Sequence, residues 1–200
     1  GYKRVFTISA GGIAFINDTS TLTEILAKLV FTVDFARKDG KDMLELFNAR
    51  EYANYLRALE IESAMRDSIK NKFEGFTLLF QPIVNAKAVG KSNSEKLSKI
   101  VVGAESLLRW KNERFGTVGA GEFIPILERS GLIVPVGRWV LIKAFAQCAA
   151  WNTLFPDLYV SVNISFVQIL QSNLVSEVQI ALERTKVNPK NIVLEITESG

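Results

Sequence analysis

The sequence contains no histidine among its 200 residues. This absence excludes Ser-His-Asp and Cys-His nucleophilic catalysis, zinc sites with histidine ligands, and proton transfer by imidazole. Any catalysis by this chain therefore relies on carboxylates, on lysine, or on a metal ion with oxygen ligands.

Cysteine is almost as scarce, because Cys148 is the only one. No disulfide framework can form within the chain, which indicates a reducing compartment and favours the cytoplasm. Cys148 lies in the apolar stretch AFAQCAAW, so we interpret it as a small buried hydrophobic residue.

A long uninterrupted apolar run and a strong excess of one charge are also missing. The best candidate for a membrane span, residues 132–151, is interrupted by Pro135, Arg138 and Lys143. We therefore predict no direct membrane insertion of this segment, although tethering of the parent protein is compatible with the sequence. The 24 basic and 21 acidic residues give a net charge of +3. This excess is too small to indicate binding to a nucleic-acid polymer.

The pattern of apolar residues predicts an α/β protein with two parts. Residues 4–16 alternate like a strand, residues 21–38 have the period of an amphipathic helix, and KDGKDMLELF adds a turn and a short strand. This part is too small to bury a core of its own. We predict three segments: 1–48 as a small α/β remnant, 49–72 as a connecting helix, and 73–200 as a larger domain.

In the larger domain, strands and helices alternate, which predicts a largely parallel sheet covered by helices. The segment 85–100 is polar and rich in lysine, so we interpret it as a surface insertion. The predicted strands are 76–84, 100–110, 159–165 and 192–197, and the predicted helices are about 121–130, 136–152 and 166–185.

Three of these strands carry a hard oxygen donor on one face. Side chains alternate along a strand, so Glu105, Asn163 and Glu195 lie opposite the apolar positions that would face the helices. Oxygen-only donors suit Mg²⁺, Mn²⁺ or Ca²⁺ rather than zinc. A bound divalent cation would also offset the cost of burying Glu105 within the apolar stretch IVVGAESLLRW.

Arg109 lies two alternations beyond Glu105 on the same face, where it could meet an anionic ligand such as a phosphate. The pattern leaves two other interpretations open. Arg109 could pair with a surface carboxylate at the strand end, and the oxygen donors could form structural hydrogen bonds inside a barrel.

At these residues the sequence resembles the EAL family of cyclic di-GMP phosphodiesterases. The matching stretches follow the family order over about residues 60–199: LLFQPIV, VVGAESLLRW, GEFIPILERSGLIVPVGRWVL, VSVNIS and VLEITES. The first 48 residues resemble the end of a GGDEF domain more weakly, in FTISAGGIAF and FARKDGKD.

The resemblance implies a fold and a set of site residues. The fold is a TIM-like (β/α) barrel of EAL type with an antiparallel first strand, of which the chain contains only the N-terminal half, preceded by a small GGDEF-like remnant. Glu198 matches a glutamate that positions a neighbouring active-site loop. The implied roles are catalytic for Glu105 and Glu198, substrate-binding for Gln81 and Arg109, and Mg²⁺ or Mn²⁺ ligation for Glu105, Asn163 and Glu195.

The implied reaction is hydrolysis of one phosphodiester bond of cyclic di-GMP, which gives linear pGpG. The family signature Glu-Ala-Leu has serine at Ser106, on the face away from Glu105, so we expect a mild effect. The family's later aspartate pair, lysine and distal glutamate have no counterpart before Gly200. We therefore expect the isolated chain to be inactive. Either it is a fragment of a longer protein, or partner contacts cover the open edge of the half-barrel.

Two other functions remain open at this point. One is a catalytically inactive EAL domain that binds cyclic di-GMP or a protein partner in signalling, although the intact set of Glu105, Asn163 and Glu195 favours the enzyme. The other is an α/β barrel enzyme of unrelated chemistry. A homodimer is compatible with the sequence.

Overall fold

The computed structural model describes residues 7–14, 21–38, 42–86 and 100–197. Contacts divide the chain into two compact units, Gly1–Glu60 and Ile61–Gly200. Glu198 and most of the lysine-rich segment 85–100 lie outside the described residues. The predicted domain limits stay a prediction.

The first unit contains a short βαβ arrangement. Strand β1 (Ala10–Gly12) pairs in parallel with β2 (Leu44–Leu46), and helix α1 (Leu22–Lys38) lies between them in the sequence. The helix begins with a reciprocal capping pair: Glu24 N donates to Thr21 Oγ1, and Thr21 N donates to Glu24 Oε2. This cap explains why the predicted helix starts where it does.

Two predicted elements are shorter in the structure. Within residues 7–14, only Ala10–Gly12 has strand geometry, because its partner β2 is itself three residues long. Helix α2 (Ala49–Lys70) ends two residues before the predicted end at residue 72. It stops there because Lys72 and Phe73 have φ angles of 58° and 63°, in the left-handed region that a right-handed helix cannot contain.

The second unit is built on a five-stranded sheet with the order β3-β4-β6-β7, and β5 pairs with the end of β4. β3 runs antiparallel to β4, whereas β4, β6 and β7 are mutually parallel. The four predicted strands are all present, and β5 is an addition that the sequence did not predict. The strands are β3 (Phe76–Val84), β4 (Val101–Asn112), β5 (Gly116–Val118), β6 (Tyr159–Ser165) and β7 (Ile192–Thr197).

Four described helices accompany this sheet: α3 (Ala120–Arg129), α4 (Ile133–Asn152), α5 (Phe166–Gln171) and α6 (Leu174–Thr185). The prediction of one helix over 166–185 is wrong. Ser172 has an extended backbone, and the Asn173 side chain accepts a hydrogen bond from Ser176 N, which starts a new helix. The residues of the predicted helix are therefore divided between α5 and α6, and Leu170 of α5 is 69% exposed.

Helix α4 supplies much of the core of this unit, with Val136, Leu141, Phe145 and Cys148 among its buried residues. Its 20 residues are long and apolar enough to cross a membrane by length and composition alone, despite Pro135, Arg138 and Lys143. Its buried face packs against β6 and α6, as expected of a core helix, while Arg138 and Lys143 are exposed. Burial of Cys148 agrees with its interpretation as a core residue.

Candidate functional site

Glu105 and Asn163 meet on neighbouring parallel strands. Glu105 of β4 is in register with Ser161 of β6, so Asn163 lies two residues further along β6 on the same face. Asn163 Nδ2 donates a hydrogen bond to Glu105 Oε1 at 2.8 Å. The structure thus brings two of the three predicted metal ligands into direct contact.

The faces of β4 and β6 follow the predicted alternation. On β4, Ala104 and Ser106 flank Glu105 and are buried, whereas Glu105 itself is half-buried. On β6, Val160 and Val162 are fully buried beneath the helices. Because these neighbours occupy the helical side of the sheet, the Glu105 and Asn163 side chains project from the other side.

Glu195 lies beside Asn163 on the side away from Glu105. β6 and β7 pair in the register Asn163↔Glu195, and paired residues of adjacent parallel strands share a face. Glu195 is exposed, because β7 is the outermost strand of the described sheet. The opposite face of β7, which the sequence predicted to be covered by helices, is exposed as well: Leu194 is 37% and Ile196 65% exposed.

Gln81 and Arg109 lie on the same face, at different distances from Glu105. Gln81 of β3 is directly opposite Glu105, and Thr77 is opposite Arg109. Gln81 is exposed, and Arg109 is half-buried with Nη1 donating to the carbonyl oxygen of Leu108 at 2.9 Å. That bond uses one of the five guanidinium donors, so others can contact a ligand. The remaining predicted residue, Glu198, lies outside the described residues.

These features belong to a known domain type. Residues 62–200 match the family described as EAL domain. The chain belongs to the EAL family.

Curated relatives of this chain include cyclic di-GMP signalling proteins. It is similar to MucR of Pseudomonas aeruginosa, a bifunctional diguanylate cyclase/cyclic di-GMP phosphodiesterase, with 29% identity over 192 residues, covering 96% of this chain and 26% of MucR. It is similar to the cyclic di-GMP phosphodiesterase PdeR of Escherichia coli, with 26% identity over 200 residues, covering 100% of this chain and 28% of PdeR. The chain thus spans about a quarter of the length of these relatives.

Solved structures show the same fold. The phosphodiesterase of PaMucR in complex with c-di-GMP has a TM-score of 0.58 at 30% identity, covering 70% of this chain and 52% of that one. The EAL enzyme Bd1971, bound to cAMP and cyclic di-GMP, has a TM-score of 0.61 at 26% identity, covering 90% and 45%. The fold is therefore that of a TIM-like EAL domain.

The donor atoms at the site fit a hard divalent cation. Asn163 uses its amide nitrogen to contact Glu105, which leaves its carbonyl Oδ1 as the atom available to a cation. Glu105 and Glu195 add carboxylate oxygens, the ligand type that Mg²⁺ and Mn²⁺ prefer. Over the described ranges, no group of three or more Asp, Glu, Cys or His could hold a metal.

The serine of the signature contributes a hydrogen bond on the helical side. Ser106 Oγ donates to the carbonyl oxygen of Ser161 at 2.8 Å, and both residues are buried. The bond joins β4 to β6 one residue beyond Glu105. It agrees with the expectation that Ser106 faces away from the site.

A cluster of buried polar residues next to the site was not predicted from the sequence. Glu128 of α3, Ser165 at the end of β6 and Gln168 of α5 are 9%, 5% and 2% exposed. They line a cavity of about 330 Å³ that Arg109 and Asn163 also line. The SFVQ stretch at 165–168 has the Ser-x-x-Gln spacing of a capping box, a signal that could have identified two of the three.

Cys148 lies away from these residues, in the core between α4 and β6. Burial raises the pKa of the Cys148 thiol, and a hydrogen bond with the backbone of Val160 partly offsets that rise. A thiol held in its protonated form is a poor nucleophile, so Cys148 takes no part in the site.

Proposed function

We propose that this EAL domain belongs to a phosphodiesterase that hydrolyses cyclic di-GMP to linear pGpG. The observation that carries the proposal is the 2.8 Å contact between Glu105 and Asn163 in a fold shared with c-di-GMP-bound relatives. The printed activities of MucR and PdeR support the same substrate.

In this proposal the side chains have separate tasks. Glu105, Asn163 and Glu195 would hold Mg²⁺ or Mn²⁺, and the ion would supply Lewis-acid activation of water and charge stabilisation at the phosphoryl oxygens. Arg109 binds a phosphate of the substrate through its free guanidinium donors, and Gln81 contacts the nucleotide. Glu198 positions a neighbouring loop. Register supports this grouping, since Gln81 is opposite Glu105 and Glu195 is beside Asn163.

The architecture of the parent protein is a further part of the proposal. Residues 73–200 would form the first half of an EAL barrel, and residues 1–48 the end of a GGDEF-like domain. Support for the second point is that similarity to MucR, which is also a diguanylate cyclase by name, covers 96% of this chain, beyond the EAL match at 62–200. The single buried cysteine favours the cytoplasm, with the parent either free or membrane-tethered. Light scattering would show whether it is a homodimer.

The test uses the complete product of the gene in which this sequence lies. It is incubated with cyclic di-GMP and either Mg²⁺ or Mn²⁺, and the products are separated by chromatography. Formation of pGpG is expected, and Glu105→Ala should abolish it. The matched control is Glu183→Ala, which removes an exposed glutamate from α6 and should leave turnover unchanged.

Two outcomes would contradict the proposal. Turnover that survives Glu105→Ala would show that Glu105 is not a metal ligand. Tight binding of cyclic di-GMP without any pGpG would indicate the alternative, an inactive EAL domain that acts as a binding or protein-interaction module. The isolated 200-residue chain should not hydrolyse the substrate appreciably, because Glu105, Asn163 and Glu195 would on their own supply only part of a metal shell.

A further inference from the structure

A hydrogen bond connects helix α3 to the end of the strand that carries Asn163. Ser165 Oγ donates to Glu128 Oε1 at 2.6 Å, between residues that are 37 positions apart in the sequence. Both side chains are buried. A buried carboxylate is costly unless it is paired, so this short bond is a strong constraint on both partners.

Ser165 is held by two further bonds that belong to the start of α5. Its Oγ accepts from Val167 N at 3.2 Å, and its own backbone N–H donates to Gln168 Oε1 at 3.4 Å. Ser165 is also in register with Thr197, just as Asn163 is with Glu195. The end of β6 is therefore fixed at Ser165, two residues beyond Asn163.

Gln168 is fixed in turn by helix α4. A Cβ at Gly137 would lie 2.8 Å from Gln168 Oε1 and closer still to Nε2, so the Gln168 amide fills the space that a side chain at Gly137 would occupy. Within the described part of the chain, Gln168 Nε2 has no hydrogen-bond partner. The amide therefore keeps its place through close packing and the capping bond from Ser165, not through a full set of hydrogen bonds.

We propose that Glu128 is a positioning residue for the metal site: through Ser165 it fixes the end of β6, so that Asn163 stays directed at Glu105. Glu128 touches neither substrate nor cation in this role. The effect of Glu128 on catalysis rests on the proposed function, but the position of the Asn163 side chain can be measured without any turnover.

Two substitutions separate positioning from stability. Glu128→Gln keeps an oxygen that can accept from Ser165, and it should behave almost like the wild type. Glu128→Leu has a similar volume but removes the acceptor for the buried Ser165 hydroxyl, so the thermal midpoint should fall modestly while the domain stays folded. Glu183→Leu is the matched control at an exposed position.

The first measurement is the side-chain amide resonance of Asn163 in NMR spectra of the complete gene product. It should move in Glu128→Leu and stay in place in Glu128→Gln and Glu183→Leu. The second measurement is Mn²⁺ affinity by calorimetric titration without substrate. Loss of an outer partner of a metal ligand typically weakens affinity by about 10–100-fold, and we expect Glu128→Leu to do so, with kcat reduced more than KM.

The inference is overturned if Glu128→Leu leaves the Asn163 resonance and the Mn²⁺ affinity at wild-type values. It is also overturned if Glu128→Gln is as defective as Glu128→Leu, because charge and not the Ser165 bond would then matter. A wild-type protein that does not hydrolyse cyclic di-GMP would remove the proposed function, while the Asn163 resonance would still decide the role of Glu128.

Discussion

Gly137 on α4 offers a sharp test of how tightly the buried polar cluster is packed. In an ordinary helix, replacing glycine by alanine raises stability by about 0.5–1 kcal/mol, because the unfolded chain loses freedom. At Gly137 the added methyl group would overlap the Gln168 amide, which is 2% exposed and held by the capping box at Ser165. The same substitution should therefore lower stability at this position.

The magnitude follows from two opposing terms. Overpacking in a core costs about 1–3 kcal/mol, and displacing Gln168 also removes one bond of the capping box. Subtracting the usual gain leaves a net loss of about 0.5–2 kcal/mol for Gly137→Ala. Gly121 on α3 is the matched control, since a Cβ there would have no neighbour within 4 Å. Gly121→Ala should raise stability by up to about 1 kcal/mol.

The assay is urea unfolding followed by tryptophan fluorescence. All three tryptophans, Trp110, Trp139 and Trp151, lie in the unit Ile61–Gly200, so the signal reports that unit alone. The change in the free energy of unfolding should be negative for Gly137→Ala and positive for Gly121→Ala. If Gly137→Ala stabilises the domain as much as Gly121→Ala, then the Gln168 side chain can move aside, and the buried polar cluster is not tightly packed.

Three other predictions follow from single contacts. Ser68→Ala and Trp110→Phe should each lower the free energy of unfolding by about 1–3 kcal/mol, because the 3.2 Å hydrogen bond between Trp110 Nε1 and Ser68 Oγ is buried. A double variant no less stable than either single variant would show that the two side chains are coupled, and strictly additive losses would contradict this. Asn163→Asp would place a second carboxylate at the 2.8 Å contact with Glu105. Repulsion between the two carboxylates should lower the thermal midpoint of the variant in EDTA, and Mn²⁺ should raise that midpoint more than it does in the wild type. Equal midpoints for the variant and the wild type in EDTA would contradict this prediction. Because burial raises the pKa of Cys148, the folded state holds the thiol proton more tightly than the unfolded state, so the free energy of unfolding should fall as pH rises above about 8.5. Cys148→Ala should lack this fall when urea midpoints are measured across that pH range. An identical decline in both proteins would refute the assignment of the effect to Cys148.

The strands of the second unit were predictable because each has a strong local signal. The alternation around Glu105 and the apolar positions of β6 determine which side faces the helices, and the structure keeps that alternation. The contact between Glu105 and Asn163 could be anticipated as a shared face. The 2.8 Å distance between them could not be anticipated, because it depends on the register between two strands whose contacting residues are 58 positions apart in the sequence.

The sequence predictions failed where a local pattern continued across a break. Apolar residues recur at helical spacing through 166–185, but Ser172 is extended and Asn173 caps a second helix, since both side chains compete for backbone hydrogen bonds. Glu128 was missed for a different reason. In the sequence it is one charged residue in the last turn of a helix, and only the tertiary fold brings it to Ser165.

The reversed direction of β3 determines where the chain enters the sheet. Phe76, the first residue of β3, is paired with Trp110, near the carboxyl end of β4 and next to Arg109. With a parallel first strand, the preceding helix would arrive at the opposite rim. Here α2 ends at the rim where Arg109 lies, and its Ser68 accepts a hydrogen bond from the indole of Trp110, the residue next to Arg109. A shift of α2 along its axis would therefore displace Trp110 in β4, the strand that also carries Glu105 and Arg109.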